Sequence, residues 1–203
     1  GATITVIAHG GQTTVDATCG TRVVRSPLIV NLTGQVVVGP TTPANAPDLF
    51  AVANVGSDAA RGPRIEYPID RAVSPVNMPS LELQWTAAGN DLFHATLTST
   101  YATIDVYTSS REAALDATAW SSIAYTAAGG DLAITVEGLA QAEPTTKFPG
   151  AAVALTMSRD AIDRTAIYYW ASSQGNIMSQ TFGSTAAATQ VRDECTSCHS
   201  LSR

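Results

Sequence analysis

Apolar and polar residues alternate in short runs along most of this sequence, and glycine, asparagine or aspartate separates the runs. Two runs joined by the turn at 88–91 show the pattern most clearly, with apolar residues at Leu81, Leu83, Trp85, Phe93, Ala95 and Leu97. A period of two places these side chains on one face of a strand and turns His94 outward on the other. Runs of this kind pair into sheets whose apolar faces are buried against one another. The pattern therefore predicts a mainly β chain.

Short strands at regular spacing, with turn residues between them, are typical of a β-sandwich, and we expect one of the immunoglobulin or fibronectin type. Trp85 and Phe93 are expected in its core. We expect three parts: 1–60, a β-rich arm or small immunoglobulin-like domain; 61–160, the sandwich; and 161–203, a last strand and a C-terminal segment. The segment 39–47 contains three prolines and is expected to be a loop, and only 110–119 resembles a helix.

Composition excludes two kinds of partner. Charged residues make up 14% of the chain, the net charge is −6 and Lys147 is the only lysine, so no basic patch for nucleic acid is expected. No run approaches the roughly 18 apolar residues of a membrane span. A composition poor in charge and rich in Thr, Ser, Ala and Gly suits an exported protein. We therefore expect an extracellular or periplasmic location, with Gly1 left as a mature end after processing.

One short motif carries recognisable chemistry. Cys195-Thr196-Ser197-Cys198-His199 has the pattern C-x-x-C-H, which is typical of covalent attachment of haem c. Two thiols three residues apart reach the two vinyl groups on one edge of the porphyrin, and the adjoining histidine binds the iron. The chain has only three cysteines and three histidines, and half of these six lie within five positions. The motif therefore makes 161–203 a candidate haem-attachment segment.

Three other interpretations of the motif stay open. A C-x-x-C redox pair normally opens a helix in a βαβ context, which nothing here resembles. A zinc site needs a second Cys/His pair, whereas Cys19, His9 and His94 are scattered singly. A plain disulfide between Cys195 and Cys198 is the third. For Cys19 itself, a buried free thiol is expected, with an intermolecular disulfide as the alternative.

Several segments together resemble a family of exported bacterial proteins, often from myxobacteria and other δ-proteobacteria. The resemblance covers about residues 60–203 and is carried by Arg61–Pro68 (RGPRIEYP), Leu83-Gln84-Trp85, Gly89–Phe93 (GNDLF), Val106-Tyr107-Thr108, Ala166–Trp170 (AIYYW) and Cys195–Arg203 (CTSCHSLSR). In that family a fibronectin- or immunoglobulin-like domain precedes a single C-x-x-C-H, and a TolB/WD40-like β-propeller usually follows. The resemblance implies haem binding and export. The present sequence ends at Arg203, where the family continues into the propeller.

The sixth ligand of the iron is a separate question. His199 is the expected fifth ligand, and His9, His94 and Met178 are the candidates for the other side of the ring. We expect a second histidine rather than Met178. His94 stands on a strand, whereas His9 lies beside two glycines on an arm that could reach a neighbouring molecule. His9 from an adjacent subunit is narrowly preferred if the protein polymerises.

These observations predict a monohaem c-type cytochrome module for electron transfer rather than an enzyme. Its expected partner is a redox protein, and homo-oligomers or filaments could form by strand addition through the N-terminal arm. The alternative is a structural surface or filament subunit in which the haem staples a junction. An enzyme or gas sensor with an open sixth position is least favoured, because no general acid, general base or substrate pocket can be named.

Overall fold

The structure, a computed structural model, describes residues 9–163, 166–173, 175–184 and 186–192. The chain divides into two compact units, residues 1–161 and residues 162–203. Strands hold 49% of the described residues and helices only 11%, so the predicted mainly β class is confirmed. No described helix is long and apolar enough to cross a membrane.

The first unit begins with a long β-hairpin. Strands β1 (Gly11–Cys19) and β2 (Arg22–Val30) pair antiparallel over nine residues and are joined by Gly20 and Thr21. Gly20 has a φ of 61°, as a type II′ turn requires at its first central position. Among the described strands, β1 and β2 pair only with each other. The hairpin is exposed along most of its length, and Cys19 lies exposed at its tip, so the expected burial of this thiol is wrong.

The main sheet of this unit has eight strands. They are β3 (Leu32–Val38), β4 (Asn54–Val55), β6 (Ala72–Pro75), β8 (Leu92–Ser99), β9 (Ala102–Thr108), β11 (Asp131–Leu139), β12 (Thr146–Pro149) and β13 (Val153–Ser158). At its centre β8 pairs antiparallel with β9 and with β11. Three outer pairings, β3 with β9, β12 with β4 and β13 with β6, are parallel. The pairings therefore establish a mixed sheet and do not establish an immunoglobulin or fibronectin topology, which is antiparallel.

A smaller sheet and a helix enclose the core. The sheet consists of β5 (Ile65–Tyr67), β7 (Glu82–Trp85) and β10 (Glu112–Ala114), in the order β10-β7-β5. Helix α2 (Ala117–Thr126) follows, and the side chain of Asp116 caps it by accepting hydrogen bonds from the amides of Thr118 and Ala119. Trp85, Phe93 and Trp120 all belong to one buried cluster, so the predicted core positions of Trp85 and Phe93 are confirmed. The helix expected at 110–119 is wrong, since Glu112–Ala114 is a strand and the helix begins at Ala117.

Segments before residue 61 belong to the same compact unit. Helix α1 (Ala46–Val52) begins inside the segment predicted as a loop, with a proline in its first turn, where no amide donor is needed. Phe50 on this helix packs with Leu92, Tyr107 and Leu139 in a second buried cluster. A short 3₁₀ helix (Ala59–Arg61) follows. Because β3 lies beside β9 and α1 packs on the main sheet, the described part of 1–60 shares a unit with 61–160.

The second unit contains a three-stranded antiparallel sheet. Its strands are β14 (Ile167–Ala171), β15 (Asn176–Gln180) and β16 (Thr189–Arg192), with β15 in the middle. Tyr168, Tyr169 and Trp170 on β14 are 49%, 42% and 56% exposed, so this sheet presents its aromatic residues at the surface.

Candidate functional site

The predicted haem-attachment residues Cys195, Cys198 and His199 lie outside the described residues. Strand β16 ends at Arg192, three residues before Cys195. The described part of the chain nearest to the motif in sequence is therefore the three-stranded sheet of the second unit (β14, β15 and β16), here called the C-terminal sheet.

Register assigns the apolar side chains of this sheet to its two faces. Tyr169 pairs with Met178 and Ile167 pairs with Gln180, so Ile167, Tyr169 and Met178 share one face, here called the Met178 face. The other face carries Tyr168, Trp170 and Ile177 and is called the Trp170 face. Both faces hold large apolar groups that are at least partly exposed. A small sheet gains stability when an apolar face is covered, so these faces are candidate contact surfaces.

His94 lies in a different environment, on β8 within the first unit. Its Nε2 is 2.7 Å from Asp105 Oδ1, and its Nδ1 is 3.3 Å from Glu137 Oε2. Its ring stacks on Tyr107, with centroids 4.4 Å apart and planes 4° from parallel. The alternation that turned His94 away from Phe93 and Ala95 is confirmed, but helix α1 approaches this side of the sheet, and Phe50 lies 5.5 Å from the His94 ring.

The contacts of His94 extend into a charged network. Lys147 Nζ lies 3.0 Å from the same Glu137 oxygen that faces His94. Thr96 joins the network through Asp105 Oδ1 at 3.2 Å. For His94 to bind iron, one ring nitrogen must give up a carboxylate contact. The geometry therefore assigns His94 a structural role on the sheet, and its role as a haem ligand stays a prediction.

Two ionisable groups of the network have displaced pKa values. The hydrogen bond from His94 holds the pKa of Glu137 below its ordinary value; burial opposes this, and Lys147 adds to it. Burial raises the pKa of Tyr107, and the charges of Asp105 and Glu137 raise it further. Both shifts favour an ionised Glu137 beside a neutral phenol at neutral pH.

The lowered pKa of Glu137 predicts a pH-dependent contribution to stability. We expect Glu137→Gln to lower the free energy of unfolding by roughly 1–2 kcal/mol at pH 7. A carboxylate whose folded pKa is lowered stabilises the fold above its unfolded pKa of about 4.3, and this contribution disappears as pH falls through the folded pKa. Urea unfolding of parent and variant should therefore converge in acid. Glu82→Gln, at an exposed position of β7, is the control and should match the parent at every pH. A constant gap between parent and Glu137→Gln down to the lowest pH would contradict the prediction.

His9 and Cys19 lie at opposite ends of the β1–β2 hairpin. His9 is exposed at its base, with its ring centroid 5.2 Å from that of Tyr125 on α2. The neighbouring Gly10 amide donates to Thr126 Oγ1 at 2.9 Å, which fixes the base of the hairpin to the end of this helix. His9, His94 and Cys19 are therefore separate from one another. No group of three or more His, Cys, Asp or Glu residues that could hold a metal ion occurs in the described part of the chain.

Sequence patterns alone do not identify Asp105, Glu137 or Lys147 as neighbours of His94. The one signal in the sequence is alternation: Asp105 lies between two apolar residues and Glu137 directly follows one, so each is expected on the polar face of its strand, as His94 is. Strand register brings them together: Glu137 pairs with His94, Asp105 pairs with Thr96, and the pairing of β11 with β12 sets Lys147 beside Glu137. No protein-family model matches the chain, and no curated protein matches it.

Proposed function

We propose that this chain holds one haem c through Cys195, Cys198 and His199 and serves as an exported electron-transfer module. The observation that carries the proposal is the C-x-x-C-H motif in a chain with so few cysteines and histidines. The donor set suits the group: two thiols for the porphyrin edge and an imidazole for iron. When bound, the haem supplies one-electron chemistry; the chain holds it and sets its potential.

The roles of the protein residues follow from their chemistry. Each thiol of Cys195 and Cys198 adds across one vinyl double bond, with the thiol hydrogen going to a vinyl carbon, so no atom leaves. His199 presents a neutral ring nitrogen to the iron. The chain's net charge of −6 favours a redox partner with a positively charged surface.

The scaffold we propose is a β-sandwich of immunoglobulin or fibronectin kind. Its support is that the three-stranded sheet β10-β7-β5 and the main sheet contribute to one apolar cluster. The apolar faces of the C-terminal sheet favour the proposed haem, because a porphyrin has large apolar faces that are stabilised when protein side chains cover them.

A second candidate, a subunit of an extracellular assembly, is favoured by the β1–β2 hairpin. Register places Val15, Ala17, Val24, Leu28 and Val30 on one face of it. Val24 is 67% exposed, and neither hairpin strand has a further partner among the described strands. Each strand of the hairpin therefore has an unpaired edge, and such an edge can accept a strand from another chain. Electron exchange between isolated monomers and a soluble mediator would favour the first candidate over this one.

The test of the haem is intact mass combined with thiol counting. Protein matured with haem is expected to have the mass of the polypeptide plus one whole haem, and this mass should survive acid-acetone extraction. One thiol, that of the exposed Cys19, should then react with a thiol reagent in denaturant. Protein made without haem and kept reduced should show three reactive thiols.

The competing interpretations predict other combinations. A disulfide between Cys195 and Cys198 would leave one reactive thiol at a mass two hydrogens below that of the reduced bare chain. Zinc would be lost in acid and leave three thiols. Either result in protein matured with haem would overturn the proposal.

A further inference from the structure

The two outer edges of the β1–β2 hairpin differ in what they offer to a further strand. We infer that the outer edge of β1 pairs antiparallel with β1 of a second copy of this chain, around a two-fold axis at Val15. The inference rests on the second candidate function, a subunit of an extracellular assembly. It names the strand and the partner of that assembly, and it does not depend on the haem.

The turn of the hairpin determines which backbone groups point outward. Cys19 and Arg22 flank a two-residue turn and therefore form a hydrogen-bonded pair. Hydrogen-bonded and non-hydrogen-bonded pairs alternate from there, so the pair of Thr14 with Pro27 is non-hydrogen-bonded, as a proline without an amide hydrogen requires. The residues whose backbone groups face outward are Gln12, Thr14, Asp16 and Thr18 on β1, and Val23, Arg25, Pro27 and Ile29 on β2.

A proline closes the edge of β2. Because Pro27 is one of the outward residues, this edge lacks an amide hydrogen there, and the proline ring occupies the place of an added strand. β1 contains no proline, and each of its outward residues has both an N–H and a C=O. The edge of β1 is therefore the one that is open to another strand.

The open edge is held in place at the base of the hairpin. The amide of Gly10 donates to Thr126 Oγ1 at 2.9 Å, and the hydroxyl of Tyr101 donates to Gln12 Oε1 at 3.2 Å. The strand is thus extended and anchored before a partner arrives. Pairing then costs little further loss of conformational freedom.

One register of β1 against itself uses the whole strand. With Val15 opposite the second copy's Val15, all nine residues pair and Asp16 lies opposite Thr14. Outward residues must meet outward residues, so the register changes only in steps of two. Any such step leaves residues of both strands unpaired, and one of the two smallest steps sets Asp16 against Asp16, a destabilising pair of like charges.

Charge and sheet size also favour a second copy. Asp16 is the one charged residue of β1, and Arg25 Nε and Nη2 each lie 2.8 Å from one of its carboxylate oxygens. Two copies of this edge therefore meet without net charge. A two-stranded hairpin is marginally stable by itself, whereas two hairpins joined through β1 form a four-stranded sheet with the apolar side chains of both on one face.

The two-fold arrangement has two consequences. It is closed, because each copy uses the same edge, so this contact gives a dimer rather than an open filament. It also sets Cys19 opposite Gly11, which separates the two Cys19 residues by about 27 Å along the strands. Cys19 therefore stays a free thiol in the dimer.

Charge substitutions test the register without disturbing the hairpin, because Thr14 and Thr18 are both exposed. Sedimentation of the full chain under reducing conditions is expected to show a dimer that dissociates on dilution. Thr14→Glu places a second carboxylate opposite Asp16 at two symmetric positions and should raise the dimer dissociation constant roughly tenfold. Thr18→Glu is the matched control, since it adds the same charge to the same edge but lies opposite Gln12. Its dissociation constant should stay within about twofold of that of the parent.

Proline substitutions test the choice of edge. Thr14→Pro removes an outward N–H of β1 and none of the hydrogen bonds between β1 and β2, so we expect a monomer. Val23→Pro makes the same change at an outward position of β2 and should leave the dimer intact. Circular dichroism of each variant checks that the fold is kept.

Cysteine substitutions test the position of the two-fold axis. Residues of a non-hydrogen-bonded antiparallel pair have Cα atoms about 4.5 Å apart, within the range that a disulfide spans. In a Cys19→Ser background, Val15→Cys should therefore form a disulfide between two copies on mild oxidation, located by digestion and mass. Ala17→Cys is the control, because its two copies lie about 13 Å apart along the strands and cannot be bridged.

Four outcomes would overturn the inference. The first is a parent that oligomerises and is unaffected by Thr14→Glu and Thr14→Pro; the assembly then stands and uses another surface. The second is an open series of species larger than dimers. The third is a dimer in which Ala17→Cys cross-links and Val15→Cys does not. The fourth is a parent that is monomeric up to its solubility limit, which also removes the assembly as a function and leaves the haem proposal untouched. If such a parent dimerises once residues 1–8 are deleted, those residues of the same chain occupy the edge.

Discussion

Replacing Cys195 and Cys198 together by serine is expected to remove all covalently held haem, whereas Cys19→Ser should keep one haem per chain. A serine hydroxyl does not add to a vinyl group under conditions in which a thiol does. Cys19 makes a matched control because it receives the same change at the exposed tip of the β1–β2 hairpin, in the other unit. The effect is close to all-or-none.

The measurement is haem absorbance on a denaturing gel together with intact mass. Cys195→Ser and Cys198→Ser alone should each retain one thioether and give intermediate yields. Covalent haem in the double variant would show that attachment does not use the motif. Loss of haem in Cys19→Ser would implicate a residue that sequence patterns place far from the motif.

The parts of the fold that were predictable are those with local signals. Phe93, Ala95 and Leu97 alternate cleanly, and β8 is found where they predicted a strand. Residues 110–119 favour helix by composition, but Glu112–Ala114 within them pairs with β7, a contact distant in sequence, and forms a strand. The helix begins only at Ala117, after its N-cap Asp116. Helix α1 is not predictable from local pattern because three prolines make 39–47 resemble a loop, although proline is tolerated in a first helical turn.

In the candidate sites, too, contiguous motifs can be predicted from the sequence, whereas contacts between strands cannot. C-x-x-C-H is contiguous, so its chemistry can be inferred without any fold. The network of His94, Glu137 and Lys147 needs strand register across β8, β11 and β12, which no local pattern supplies. His94 was preferred to Met178 as an iron ligand because it stands on a strand, but no local pattern indicates that both of its ring nitrogens contact carboxylate oxygens.

Trp85→Ala is expected to lower the free energy of unfolding by about 3–5 kcal/mol, the cost of deleting a large buried aromatic residue. Trp85 is 2% exposed and packs edge-on against Phe93 with ring centroids 5.7 Å apart. Its indole N–H has no hydrogen-bond partner within the described residues. The cost therefore comes from lost apolar contacts and the cavity left behind, and Trp85→Phe should lose only a small part of it.

Trp170→Ala provides the control for this change, because Trp170 is 56% exposed on the C-terminal sheet. We expect its effect on the first unit to stay within about 0.5 kcal/mol, as for most exposed positions. Urea unfolding is followed by intrinsic tryptophan fluorescence and by circular dichroism; Trp120, buried in the same core as Trp85, contributes to the fluorescence of both variants. Equal midpoints for Trp85→Ala and Trp170→Ala would place Trp85 outside the core. A Trp85→Phe variant as unstable as Trp85→Ala would instead mean that the indole N–H forms an essential hydrogen bond, because phenylalanine restores most of the apolar volume but no donor.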